Sequence, residues 1–175
     1  CKVNGCLNFD TTSDTVSFGT ASFIDNIASI SASLWIYPRS VATNAMIVSK
    51  ANTTTQRVFQ IKTDNSSASE LKVMIAASAS DTTNFCTTSG LGLAVNTWQH
   101  ISIVFDGGQT NNNNKVTVYK NGRPYICSGT LPNALVSGTT SLLKLGKGDD
   151  STPNSFIGFI DEFKFYNYAL TNDTV

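Results

Sequence analysis

The chain has 175 residues, a formal net charge of zero, 41% hydrophobic residues and only 14% charged ones. That length and apolar content allow one sizeable core in a single domain over residues 1–175, with surface polarity coming from Ser, Thr and Asn. No block of Lys or Arg exists to displace counterions and no apolar run approaches the ~20 residues that span a bilayer, so neither nucleic acid nor membrane insertion is expected.

The chain opens on Cys1 instead of Met, as expected of a domain that is part of, or processed from, a larger extracellular protein. Cys1 also fits the lipidated first residue of a bacterial lipoprotein, although Cys6 nearby offers it a disulfide partner. Four cysteines, Cys1, Cys6, Cys86 and Cys127, allow three pairings, and their spacings lack the short doublets of a zinc site. Pairing Cys1 with Cys6 pins a loop around Asn4 and Gly5, which leaves Cys86 with Cys127 to join two strands; four free thiols are the alternative. Asn-X-Ser/Thr sequons at Asn52, Asn65 and Asn172 suit a secreted glycoprotein with these asparagines in loops or a tail.

Helical periodicity is almost absent. Val, Ile, Phe and Thr cluster in short segments parted by Gly, Asn, Asp, Ser and Pro, which predicts about a dozen short strands in two stacked antiparallel sheets. In chain order they fall at residues 6–9, 15–18, 30–37, 45–50, 57–63, 71–76, 85–87, 98–105, 115–120, 123–128, 142–145 and 156–166. Residues 66–69, 109–114 and 146–154 read as loops.

Alternation orients several strands. Ile101, Ile103 and Phe105 share one apolar face, while Trp98, His100, Ser102 and Val104 face away. Asn121-Gly122 predicts a two-residue type I′ hairpin, which sets Val118 opposite Tyr125 and Val116 opposite Cys127. From residue 156 apolar side chains lie on both faces until Asp161, the pattern of a central strand.

In order along the chain, four segments carry a resemblance. They are Leu7-Asn8-Phe9-Asp10 with Asp14 and Val16; residues 30–39; Asn96-Thr97-Trp98-Gln99-His100 continuing to Phe105-Asp106-Gly107 and the Asn121-Gly122 hairpin; and Phe156-Ile157-Gly158-Phe159-Ile160-Asp161-Glu162-Phe163 with Tyr166, Ala169 and Leu170. Together they resemble the laminin G-like, concanavalin A-like jelly-roll family, which implies an all-β, two-sheet antiparallel jelly-roll sandwich. Thr11 and Thr15 depart from the Gly and aromatic usual there. The resemblance further implies a structural calcium ion with Asp161 as ligand and Asp10 or Asp14 as helpers; the alternative is that these aspartates cap turns and bind backbone donors.

Catalysis finds little support. A glycosidase needs two carboxyl groups facing each other roughly 5 to 10 Å apart, yet the only glutamates are Glu70 and Glu162, and Asp161 and Glu162 as strand neighbours point to opposite faces. His100, the only histidine, reads as a structural residue beside Trp98. Asp149 and Asp150 form a second acidic pair, of the kind loops usually solvate. For stacking on sugars the candidate rings are Trp35, Trp98, Tyr37, Tyr119, Tyr125, Tyr166 and Tyr168. The expected function is therefore a non-catalytic extracellular recognition or adhesion module for glycan or protein. A structural subunit of a filament, sheath or shell, built as a homo-oligomer, is the second reading, and a polysaccharide-active enzyme the third.

Overall fold

A computed structural model of the protein describes residues 1–53, 56–148, 154–172 and 174. Among these described residues twelve antiparallel strands are formed: β1 (Leu7–Phe9), β2 (Val16–Ser17), β3 (Ser29–Pro38), β4 (Met46–Thr53), β5 (Gln56–Thr63), β6 (Leu71–Ile75), β7 (Phe85–Thr88), β8 (Gln99–Asp106), β9 (Val116–Lys120), β10 (Arg123–Thr130), β11 (Leu142–Leu145) and β12 (Gly158–Tyr166). They match the expected strands in number and order, with ends that differ by at most three residues. Within the expected loop at 109–114 and its neighbour Lys115, a helical turn forms at Asn112–Lys115, capped by the Asn111 side chain accepting from the Asn113 amide at 2.9 Å.

The strands run β1-β12-β3-β8-β9-β10-β7-β6-β5-β4-β11-β2 in one continuous hydrogen-bonded sheet, which curls into two facing layers. β10 belongs to both. Its first half, Arg123 to Ile126, pairs with β9, and its second half, Cys127 to Thr130, pairs with β7. This corrects one expected contact. Tyr125 does lie opposite Val118, but Cys127 lies opposite Thr88, because β10 has left β9 by that point and Val116 pairs only with Phe105 of β8. Cys127 is thereby brought beside Cys86, and the two form a disulfide; Cys1 and Cys6 form the other. At Gly129 the approach of β7 is so close that a Cβ would lie 2.0 Å from the Phe85 carbonyl oxygen, so only glycine fits. Asn121 and Gly122 adopt φ of 51° and 79°, as the type I′ hairpin requires.

The core fills the space between the layers. Ile30, Ala32, Leu34 and Ile36 of β3 and Ile101, Ile103 and Phe105 of β8 point inward from one layer; Phe59 and Ile61 of β5 with Leu71, Val73 and Ile75 of β6 meet them from the other. β12 needs one adjustment to join this core. A bulge between Asp161 and Lys164 inserts an extra residue, with Glu162 at φ 50°, and so reverses the inward parity of the strand. Phe163 and Phe165 face the core as a result, while Glu162 and Lys164 stay in solvent.

Loop length sets what each disulfide contributes. The sequence separation is 41 residues for Cys86–Cys127 and 5 for Cys1–Cys6, and chain-entropy arithmetic assigns about 4 and about 2 kcal/mol respectively. Urea unfolding of C86A/C127A should therefore show about twice the loss of stability shown by C1A/C6A; equal losses would contradict the assignment.

Candidate functional site

The outward face of β5 and β6 is the reverse of the core pattern just described. Where Phe59, Ile61, Val73 and Ile75 point in, Gln60, Lys62, Lys72 and Met74 point out, and the ladder places Gln60 opposite Met74 and Lys62 opposite Lys72. β4 adds Met46 opposite Lys62. Together with Asn44, Arg57, Asn65 and Thr82 these side chains line a groove of about 220 Å³. Met46, Gln60, Met74 and Lys72 form its buried floor. Arg57, Lys62, Asn44, Asn65 and Thr82 are the more accessible members.

Hydrogen bonds hold the polar groups in place. Lys62 Nζ donates to Asn44 Oδ1 at 3.0 Å, and Lys72 Nζ donates to Asn65 Oδ1 at 3.1 Å while sitting 3.4 Å from the centre of the Phe85 ring. Burial lowers the Lys72 pKa from its ordinary value, and the Asp64 charge opposes that shift. Arg57 Nη1 donates to the Asp81 carbonyl at 3.5 Å.

Two aspartates shape the loops at the groove's ends. Asp64 accepts from the amides of Ser66 at 2.8 Å and Ser67 at 3.3 Å and from the Thr87 hydroxyl at 3.4 Å. Burial would raise its carboxyl, but the amides of Ser66, Asn65 and Ser67 and the Lys72 charge hold it below the ordinary value. Asp81 accepts from the amides of Ala77, Thr83 and Asn84 and from the side chains of Thr83 and Asn84. Burial again works against ionisation, and those donors outweigh it, lowering the carboxyl to about 2.

The aspartates singled out in the sequence are held by backbone donors. Asp14 Oδ2 accepts from the amides of Asp10 and Thr11, each at 2.8 Å, and so caps the turn between β1 and β2. The Thr11 amide leads the hydrogen bonds that lower the Asp14 pKa. Asp10 Oδ2 accepts from Asn8. Asp161 Oδ2 accepts from the amides of Lys2 and Val3, each at 2.9 Å, and Oδ1 from the Glu162 amide at 2.9 Å. Amide protons thus point at both Asp161 oxygens, a donor set unsuited to a cation, which would have to displace the N-terminal segment to bind there. Among the described residues no three His, Cys, Asp or Glu side chains are grouped to hold a metal ion. Asp149 and Asp150 lie outside the described residues.

The remaining candidates scatter. Glu70 accepts from the Thr88 hydroxyl at 2.7 Å and from the amides of Gly90 and Leu91, whereas Glu162 is exposed and pairs with Lys164 at 3.3 Å. Trp35, Tyr37 and Trp98 pack on the outside of the β12-β3-β8 layer. There Tyr37 contacts both Trp98 and Phe159, Trp35 contacts the His100 ring at 5.1 Å, and Lys2 and Arg39 sit over Trp35 and Phe159. Burial, with a smaller contribution from Lys164, lowers the His100 pKa. Tyr119 donates to Asn172, Tyr125 lies beside Arg123, and Tyr166 packs on Tyr168. None of these rings lines the groove. Asn52, Asn65 and Asn172 are all exposed, and Asn65 alone among them is a groove residue. Sequence reasoning missed Arg57, Gln60, Lys62 and Lys72 because it looked for rings; the signal present was the outward polar half of two alternating strands.

A family model of the laminin G type, described as the concanavalin A-like lectin/glucanases superfamily, matches residues 10–175. No match was found among curated protein sequences. Solved structures that share the fold include the following three. Domain 4 of the extracellular arabinanase AbnA from Geobacillus stearothermophilus, in complex with arabinotriose, is 19% identical with a TM-score of 0.65, over 99% of this chain and 76% of that one. The SAP-like pentraxin of Limulus polyphemus is 14% identical with a TM-score of 0.68, over 95% and 77%. The CBM40 domain of the Ruminococcus gnavus IT-sialidase, bound to α2,3-sialyllactose, is 11% identical with a TM-score of 0.70, over 97% and 94%.

Two outcomes follow from the aspartates. A carboxyl lowered in the folded state from 3.8 to about 2 stabilises fully above its unfolded value and loses that contribution as pH falls through the folded one. Asp81→Ala should therefore cost about 2 kcal/mol at pH 7, with the gap to the parent protein closing between pH ~4 and pH ~2 in acid titrations of stability; a gap independent of pH would contradict the assignment. Because amides already occupy Asp161, thermal melts in calcium and in chelator should coincide, and a calcium-dependent rise in Tm would show that a cation displaces Lys2 and Val3.

Proposed function

The chain belongs to the concanavalin A-like lectin/glucanases superfamily, and from that premise we propose that it is a secreted, non-catalytic glycan-recognition module whose ligand lies in the groove over β4, β5 and β6. The observation that carries this reading is the composition of the groove. Amide and cationic side chains, Asn44, Gln60, Asn65, Arg57, Lys62 and Lys72, stand around two methionines. Directed donors and acceptors suit sugar hydroxyls, and the thioether surface of Met46 and Met74 suits the apolar face of a pyranose ring.

Other findings point the same way. Among the described residues the lining contains no Asp or Glu, and hydrolysis of a glycosidic bond in most families requires a pair of carboxyl groups. Two solved relatives of the same fold hold arabinotriose and sialyllactose. Two disulfides and no free cysteine suit an oxidising, extracellular compartment.

A glycan array probed with the purified chain tests the reading, followed by titration calorimetry with the best hit. Gln60→Leu, which keeps the volume and removes the amide, should weaken that glycan about tenfold. Tyr168→Ala, on a different surface, should leave it unchanged. Binding indifferent to Gln60→Leu, or release of reducing ends from the bound glycan, would overturn the proposal.

A further inference from the structure

Away from the groove, a nucleophile and an electrophile meet inside the protein. Lys50 of β4 has a side chain that is 0% exposed, and its Nζ lies 2.5 Å from Oδ1 of Asp25, whose side chain is 8% exposed. In the sheet Lys50 stands between Phe59 of β5 and Leu143 of β11, both buried. Asp25 closes the short helical turn Ser22–Ile24 that precedes β3. Two more contacts fix the pair. Lys50 Nζ donates to the Ala21 carbonyl at 3.0 Å, and the Gly138 amide donates to Asp25 Oδ1 at 3.1 Å. Glycine at 138 suits that approach, since a Cβ there would lie 2.2 Å from Cγ2 of Val58. Asp25 Oδ2 is buried and has no hydrogen-bond partner among the described residues.

From this geometry we propose that Lys50 and Asp25 condense into an intramolecular amide, an isopeptide cross-link between β4 and the segment before β3. Two opposite charges withdrawn from water are costly, and passing one proton from the ammonium to the carboxylate removes both. What remains is a free amine in contact with a neutral carboxylic acid. Holding the two together replaces a collision by a step within one molecule.

The Nζ lone pair attacks Cγ, one bond from Oδ1, and the Gly138 N–H stabilises the negative charge that develops on Oδ1. Oδ2 receives the proton shed by the nitrogen and leaves as water while the Cγ–Oδ1 carbonyl re-forms. One N–C bond is made and one C–O bond broken, with no oxidant and no second reactant. The product ties positions 25 residues apart in sequence by a bond that reductant does not cleave, unlike the two disulfides.

Mass spectrometry of the intact chain, denatured, reduced and alkylated at its four cysteines, tests this directly. The parent chain should be lighter than its alkylated sequence by one water, trypsin should fail to cut after Lys50, and fragmentation should find a branched peptide joining Lys50 to Asp25. Lys50→Met, which keeps an unbranched apolar side chain at the buried position and lacks the amine, should carry the full sequence mass. The parent measurement does not depend on how that variant folds. Full sequence mass in the parent, with cleavage after Lys50, would overturn the proposal. So would a missing water that maps to a cyclic imide in an unbranched Asp25 peptide.

Discussion

One strand changing partners determines the architecture. β10 pairs with β9 through Ile126 and with β7 from Cys127 onward, and this shared strand converts a flat row of twelve into two layers that enclose a core. The Cys86–Cys127 disulfide fastens the bend beside the switch, and glycine at 129 lets β7 come close enough to take up the second half of the strand. At the two ends of the row, β1 and β2 form the free edges, and the turn capped by Asp14 connects them. The sheet is therefore tied at both margins, which limits the unpaired edge that would otherwise invite association.

The groove is a consequence of the same register. In a strand of period two, every residue that fills the core fixes the direction of its neighbours, so the burial of Phe59, Ile61, Val73 and Ile75 turns Gln60, Lys62, Lys72 and Met74 outward. A slip of one position would put lysines in the core and leucine and isoleucine in the groove. β12 changes parity at its bulge, which places Phe163 and Phe165 inside and leaves Glu162 and Lys164 in water.

Much of this was legible beforehand. Strand count, order and most boundaries follow from alternation, turn residues and the Asn121-Gly122 hairpin, and both disulfides were among the pairings the cysteine positions allow. Three features were not legible, each for a physical reason. The partner switch of β10 depends on where β7 arrives in space, which pairing outward from a hairpin cannot register. The bulge at Glu162 depends on a positive φ adopted by a residue that rarely takes one. Lys50 ends the strand expected at residues 45–50, yet its charged side chain is fully buried and paired with Asp25 at 2.5 Å, while donating to the Ala21 carbonyl at 3.0 Å; a charge compensated by a distant segment leaves no mark in its own strand. The groove was missed for a different reason. Its chemistry resides in lysines and amides that look like ordinary solvated strand positions until two strands set them side by side.

The central claim is that a glycan occupies this groove, and the chain carries its own reporters for it. Its two methionines, Met46 and Met74, both line the groove and are buried in its floor. In a protein labelled only at the methionine methyl groups, the spectrum should contain two signals, and titration with a bound glycan should move both in step with occupancy. Two stationary signals at a glycan concentration that saturates binding by calorimetry would place the ligand elsewhere and contradict the account.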